Sequence, residues 1–179
     1  MGPMNPDDIP SGSLCIIDTN VLLYAEQGVS SQAQRLIRRI ECREIIGIVP
    51  QPVWQELIHK LMLAEAMMLG QLSIGNPAKQ LAAKPDVIKR LTIYRDKVTA
   101  LATLRLRFEA CTKTDLLDTA LPFQERYGLM TNDSVIAAIA VRLEADALVT
   151  ADNKFKVVKG LNVYAPSDLK MRDSDRHRK

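Results

Sequence analysis

Histidine is nearly missing from the chain and cysteine is scarce, which narrows its chemistry at once. His59 and His177 are too far apart to anchor an imidazole metal site, and two histidines supply no credible Ser/His/Asp set. Cys15, Cys42 and Cys111 are odd in number and form no Cys-x-x-Cys pair, so zinc and a disulfide framework lack support. Cys15 and Cys111 fall in predicted strands and read as small core residues. No Gly-x-Gly-x-x-Gly follows a strand and no Gly-x-x-x-x-Gly-Lys-Ser/Thr occurs, so the phosphate cradles of dinucleotide and P-loop proteins are absent. No apolar run reaches about 18 residues, which argues against a transmembrane helix. The first 13 residues, rich in Pro, Asp, Gly and Ser, hold no apolar core of a signal peptide. They read as a flexible leader, and a cytoplasmic location follows.

What is present is ordinary in amount and informative in distribution. Of the 179 residues, 47% are apolar and 25% charged, as in a soluble globular domain. The net charge of +3 resides in the tail, where Lys170, Arg172, Arg176, Arg178 and Lys179 outweigh Asp173 and Asp175. Within the body, residues 79–113 are basic, with only Asp86, Asp96 and Glu109 as acids. Lys89, Arg90, Arg95, Lys97, Arg105 and Arg107 are the candidate contacts to a polyanion, although solvated helix faces explain them equally well.

Apolar periodicity alternates between strand and helix, which predicts an α/β fold with a mainly parallel sheet. Strands are expected at 14–18, 44–49, 104–111, 147–150 and 161–165. Ser30 or Ser31 is placed to cap a helix reaching about residue 43. A second helix runs from Pro52, suited to a first helical turn, to a stop at Gly70. Residues 86–100 read as helical, Thr114 is positioned to cap a helix over 115–127, and 132–145 forms the next. In the 104–111 strand Leu104, Leu106 and Phe108 alternate with Arg105, Arg107 and Glu109, as at a sheet edge. No internal repeat or linker is visible, so one domain over 14–169 is expected, followed by the basic tail 170–179.

Four acids stand at the ends of these elements. Asp18 closes the strand Leu14-Cys15-Ile16-Ile17, Glu56 lies one turn into the helix from Pro52, Asp133 heads an Ala/Ile-rich helix, and Asp152 follows Ala147-Leu148-Val149-Thr150. Each has an ordinary explanation taken singly: a local Asx turn for Asp18, a favourable helix-dipole charge for Glu56, the common occurrence of Asp near a helix N-terminus for Asp133, a loop residue for Asp152. In a parallel sheet, however, strand C-termini and helix N-termini share one edge, where ligands bind. Clustered carboxylates there repel unless a hard cation such as Mg2+ or Mn2+ neutralises them. One metal site accounts for all four acids. Asn20 is placed to bond the Asp18 carboxylate, and the Thr150 hydroxyl to hold a water or a neighbouring carboxylate. A phosphoacceptor-aspartate domain also gathers acids at strand ends, but its early acid pair and late Lys are not evident.

These residues resemble the PIN-domain nucleases, which include the VapC-type toxins of toxin–antitoxin pairs. The resemblance rests on Ile17-Asp18-Thr19-Asn20-Val21-Leu22, Glu56, Asn132-Asp133-Ser134-Val135-Ile136-Ala137-Ala138, and Val149-Thr150-Ala151-Asp152 followed by Phe155. It spans about residues 14–166. It implies a three-layer α/β/α sandwich with a short, mainly parallel central sheet. It also implies Mg2+ or Mn2+ on Asp18, Glu56, Asp133 and Asp152, with Thr150 and Asn20 orienting ligands or water, and cleavage of RNA to a 5′-phosphate and a 3′-hydroxyl. A homodimer and a small antitoxin are the implied partners. Two departures stand out. Lys154 occupies the position before the Phe where many members carry another Asp, and a helical insertion over about 70–100 lengthens the span from Glu56 to Asp133. The expected activity is therefore a metal-dependent endoribonuclease. An RNA-binding or assembly protein with weak metal occupancy is the alternative, and a small-molecule phosphohydrolase a third reading.

Overall fold

The computed structural model describes residues 4–169; the expected basic tail, 170–179, lies outside the described residues. The described residues divide into two compact units, residues 4–53 with 105–169 and residues 54–104. The insertion expected at 70–100 is thus part of a larger second unit.

The first unit carries a five-stranded, all-parallel sheet with strand order β3-β2-β1-β4-β5. Its strands are β1 (Leu14–Ile17), β2 (Ile46–Pro50), β3 (Arg107–Glu109), β4 (Ala147–Val149) and β5 (Val163–Tyr164). Cys15, Ile16, Ile17, Val49, Leu148 and Val149 are buried to 1% exposure or less. Such continuous apolar runs are what a sheet covered on both faces requires. Between β1 and β2 come helices α1 (Thr19–Glu26) and α2 (Ser31–Glu41). Parallel crossovers are right-handed, so a connection running from β1 towards β2 and one returning from β3 to β4 lie on opposite faces. Helices on both faces of a parallel sheet make the α/β/α sandwich. The direction of travel reverses between β1 and β4, which fixes a crevice at their C-terminal ends.

Local chemistry explains the elements. Ser30 caps α2 by accepting the Ala33 N–H at 3.0 Å. Gly47 lets α2 approach β2, because a Cβ there would come within 2.6 Å of Ile40 Cδ1. The return helix begins as a π-type stretch over Asp115–Ala120 and becomes α-helical as α7 (Leu121–Tyr127). Thr114 makes no side-chain cap there; instead Asp115 accepts both the N–H and the hydroxyl of Thr112 at 2.8 Å. Pro122, which has no N–H to donate, sits where the ladder changes pitch. Helix α8 (Thr131–Arg142) is buried without a break from Ser134 to Ala140, and its small residues permit close packing.

Other expectations are corrected. Residues 4–13 are pinned rather than a flexible leader. Met4 bridges to Tyr164, Ile9 is buried, Asp7 pairs with Arg35 at 2.6 Å, and the Ile9 carbonyl accepts from Arg39 at 2.6 Å. The expected strand 104–111 contracts to β3, whose Phe108 is 60% exposed, so its apolar alternation does not mark a buried face. Cys111 falls beyond that strand and is only partly buried, whereas Cys15 is fully buried.

The second unit contains most of α3 (Gln51–Met68), with α4 (Pro77–Ala82), α5 (Pro85–Arg90) and α6 (Ile93–Ala102). Ala66, Leu81, Val87 and Leu91 form its core, with Met62, Leu63, Leu72, Ile88 and Tyr94 packed against them. Glu65, 5% exposed, accepts the N–H groups of Thr92, Ile93 and Tyr94 at 2.9, 3.1 and 2.8 Å. It caps α6 from another helix, a task the Thr92 side chain does not perform. Among the described residues no helix is long and apolar enough to cross a membrane.

Candidate functional site

The adjacency of β1 and β4 brings the first acid into place. Ile17 pairs with Val149 in register, so Asp18 and Thr150 leave the sheet side by side. Asp18 is 6% exposed and caps α1, its Oδ1 accepting the Thr19 N–H at 2.7 Å. Its Oδ2 accepts from the Thr150 hydroxyl at 2.6 Å and from the Asn20 amide at 2.6 Å. Asn20 Oδ1 in turn accepts the Ala151 N–H at 3.0 Å. The Thr150 oxygen accepts the Asp152 N–H at 3.0 Å. Asp18, Asn20, Thr150 and the start of the Asp152 loop therefore form one hydrogen-bonded unit at the crevice.

Asp133 and Asp152 are joined by a cation. Asp133 lies in the first turn of α8, whose N-terminus has no side-chain cap from Thr131 or Asn132. Instead Ser134 Oγ donates to the Thr131 carbonyl at 2.8 Å and accepts from Gln124 at 3.0 Å. Lys154 Nζ lies 3.2 Å from Asp152 Oδ2 and 4.0 Å from Asp133 Oδ2. The hydrogen bond to Asp152, with the attraction of both carboxylates, holds the Lys154 ammonium above the usual lysine range. From sequence, Lys154 reads only as a missing acid; its reach to both carboxylates has no local signal.

Glu56 belongs to the second unit, where it pairs with Lys60 at 2.7 Å in an i, i+4 arrangement. Among the described residues, no group of three His, Cys, Asp or Glu side chains is arranged so as to hold a metal ion. The links are pairwise: Asp18 through Thr150 to the Asp152 backbone, and Asp152 through Lys154 to Asp133. The donor chemistry nevertheless fits a hard cation, since the groups are carboxylates and two of them already flank one positive centre.

The candidate polyanion contacts divide between the units. Arg105 and Arg107 are in the first, lining a cavity of about 490 Å³ with Arg43, Ile40, Ile45, Ile46 and Leu106. Lys89, Arg90, Arg95 and Lys97 are in the second. There Lys89 pairs with Asp86 at 2.9 Å, Arg90 donates to the Asp86 carbonyl and Arg95 to the Tyr94 hydroxyl. Trp54 is half-buried, with its indole nitrogen enclosed.

The sequence pattern of the PIN domain matches residues 15–161. Solved structures similar to the chain include VapBC2 from Rickettsia felis, bound to a DNA fragment from its promoter. It shares 18% identity at a TM-score of 0.56, covering 86% of this chain and 99% of that one. A toxin–antitoxin complex from Klebsiella pneumoniae shares 17% identity at a TM-score of 0.55, covering 87% of this chain and 99% of that one. No curated protein sequence matches.

Proposed function

Because the chain belongs to the PIN-domain family, we propose that it is a metal-dependent endoribonuclease acting as the toxin of a toxin–antitoxin pair. The observation that carries this reading is the linkage of Asp18, Asp152 and Asp133 through Thr150 and Lys154, anchored where β1 and β4 end. Similarity in fold to the two toxin–antitoxin complexes supports the toxin assignment and a small antitoxin as partner.

Asp18, Asp133 and Asp152 would hold one or two Mg2+ or Mn2+ ions, and Glu56 is proposed as a further metal ligand on its sequence position alone. Such an ion, when bound, lowers the pKa of a coordinated water and offsets charge developing on the phosphoryl group. The chain itself supplies orientation. Thr150 and Asn20 fix the Asp18 carboxylate, and the Asn20–Ala151 and Thr150–Asp152 bonds keep the following loop in step with it. In-line attack of water on a backbone phosphorus would leave a 5′-phosphate and a 3′-hydroxyl. Arg105 and Arg107 in one unit, and Lys89, Arg90, Arg95 and Lys97 in the other, would meet the RNA backbone. A homodimer in the cytoplasm is the proposed working form.

The test is cleavage of labelled RNA by purified protein with Mg2+, Mn2+ or chelator, beside Asp133→Asn. Cleavage should require metal, and Asp133→Asn should lose more than the roughly 10–100-fold that removal of an outer-shell partner costs. Undiminished cleavage by Asp133→Asn overturns the assignment. The Lys154 ammonium at the acids favours a second reading, an RNA-binding or assembly protein with weak metal occupancy. A metal-induced rise in melting temperature without cleavage would select it. Hydrolysis of a generic phosphomonoester with RNA left intact would select a small-molecule phosphohydrolase.

A further inference from the structure

Lys154 is held in place at both ends. Its neighbour Phe155 is fully buried, and its own N–H donates to Asp152 Oδ1 at 3.0 Å in the first turn of the 3-10 helix Asn153–Val157. The side chain then folds back so that the ammonium meets the other oxygen of the same carboxylate at 3.2 Å, with Asp133 Oδ2 at 4.0 Å. One residue thus grips both oxygens of Asp152 and spans to the acid at the head of α8.

We propose that Lys154 is a built-in counter-cation of this edge: its ammonium fills the space between Asp133 and Asp152 that a divalent cation has to take. The inference rests on the metal-site reading above. Two carboxylates facing one point repel, and a single tethered positive charge relieves that repulsion without any bound ion. The ammonium is a compact point charge on a flexible stem, and its side chain is 60% exposed. Solvent screens such a pair, so the contact is weak enough to break. A divalent cation carries twice the charge and is not tethered; it binds by expelling Lys154. Wild-type protein therefore holds metal less tightly than its carboxylates alone allow, and the metal-free site stays balanced.

The experiment is Mn2+ binding to the full chain at low salt, read by the electron paramagnetic resonance of free Mn2+, with Lys154→Gln, Lys154→Arg and Asp133→Asn in parallel. Lys154→Gln should bind Mn2+ about five-fold more tightly than wild type, the upper range for one exposed charge pair. Lys154→Arg should bind like wild type, and the gap should narrow as salt rises. Metal-free Lys154→Gln should melt below wild type and gain more from Mn2+. Equal or weaker Mn2+ binding by Lys154→Gln overturns the proposal while leaving the metal reading intact. A loss of cleavage in that variant at unchanged Mn2+ affinity overturns it too and assigns Lys154 to the RNA phosphate. Mn2+ binding that is absent from all variants, or unaffected by Asp133→Asn, brings down the metal reading itself and the proposal with it.

Discussion

The Thr150 hydroxyl donates to the Asp18 carboxylate at 2.6 Å, joining two residues that lie 132 positions apart in sequence. Thr150 is fully buried, and its oxygen also accepts the Asp152 N–H. A single hydroxyl sets the rotamer of one acid and the loop geometry of another. This is possible only because β1 and β4 are neighbours in the sheet.

Thr150→Val, nearly the same shape, removes both bonds and leaves a buried carboxylate short of a donor. Stability should fall by about 1–3 kcal/mol, and RNA cleavage should fall with it, whereas Thr150→Ser should retain most of both. Urea unfolding and the cleavage assay read the two effects. A Val variant matching wild type in both would make the hydroxyl idle.

Acid stability should depend on Asp115 and Arg142. Burial pushes the Asp115 carboxyl up, but the Arg142 hydrogen bond at 2.8 Å and the two Thr112 donors outweigh it, so it titrates below its ordinary value of 3.8. A folded pKa below the unfolded one stabilises the protein above that ordinary value, and the gain is lost as pH falls through the folded pKa. Arg142→Met should cost about 1–3 kcal/mol near neutral pH and move acid unfolding to higher pH, with the two proteins converging at the acid end. Circular dichroism across pH tests this, and parallel curves would remove the ion pair from the account.

Salt dependence sorts the basic residues. RNA affinity should fall steeply with salt, and neutralising a residue that contacts phosphate should lower the log–log slope by about 0.7 for single-stranded RNA. Arg105→Ala and Arg107→Ala should show this change, while Lys89→Ala should show less because Lys89 already pairs with Asp86. Unchanged slopes for both arginines would return them to the solvated surface.

Self-association is expected through the end of α3. The apolar side chains at that end divide: Met62, Leu63 and Ala66 pack within the second unit, but Met67 and Met68 remain 58% and 66% exposed, with Leu69 beside them at 50%. Light scattering at low micromolar concentration should give a dimer that Met67→Glu/Met68→Glu dissociates. A wild-type mass of 20.0 kDa rejects the dimer, and a dimer indifferent to both substitutions places its interface elsewhere.

Residue order alone carries whatever depends on near neighbours. Apolar runs mark β1, β2 and β4, the Ser30 cap starts α2, and the positions of Asp18 after β1 and Asp133 in the first turn of α8 follow from patterns a few residues long. Asn20 is readable as a partner of Asp18 because it lies two residues away. Tertiary structure decides the rest, since those contacts join segments whose local sequence is indifferent to them. The strand order sets Thr150 beside Asp18, and only the folded chain brings Lys154, which follows β4, within reach of Asp133 in the first turn of α8. Residues 4–13 look like a free leader until Tyr164, Arg35 and Arg39 supply partners from distant elements. Likewise Glu65 reads as one more helical acid, and becomes the cap of α6 only when two helices meet. A hydrogen bond or ion pair between remote residues needs the backbone between them already folded, so its partner is fixed by topology and not by composition.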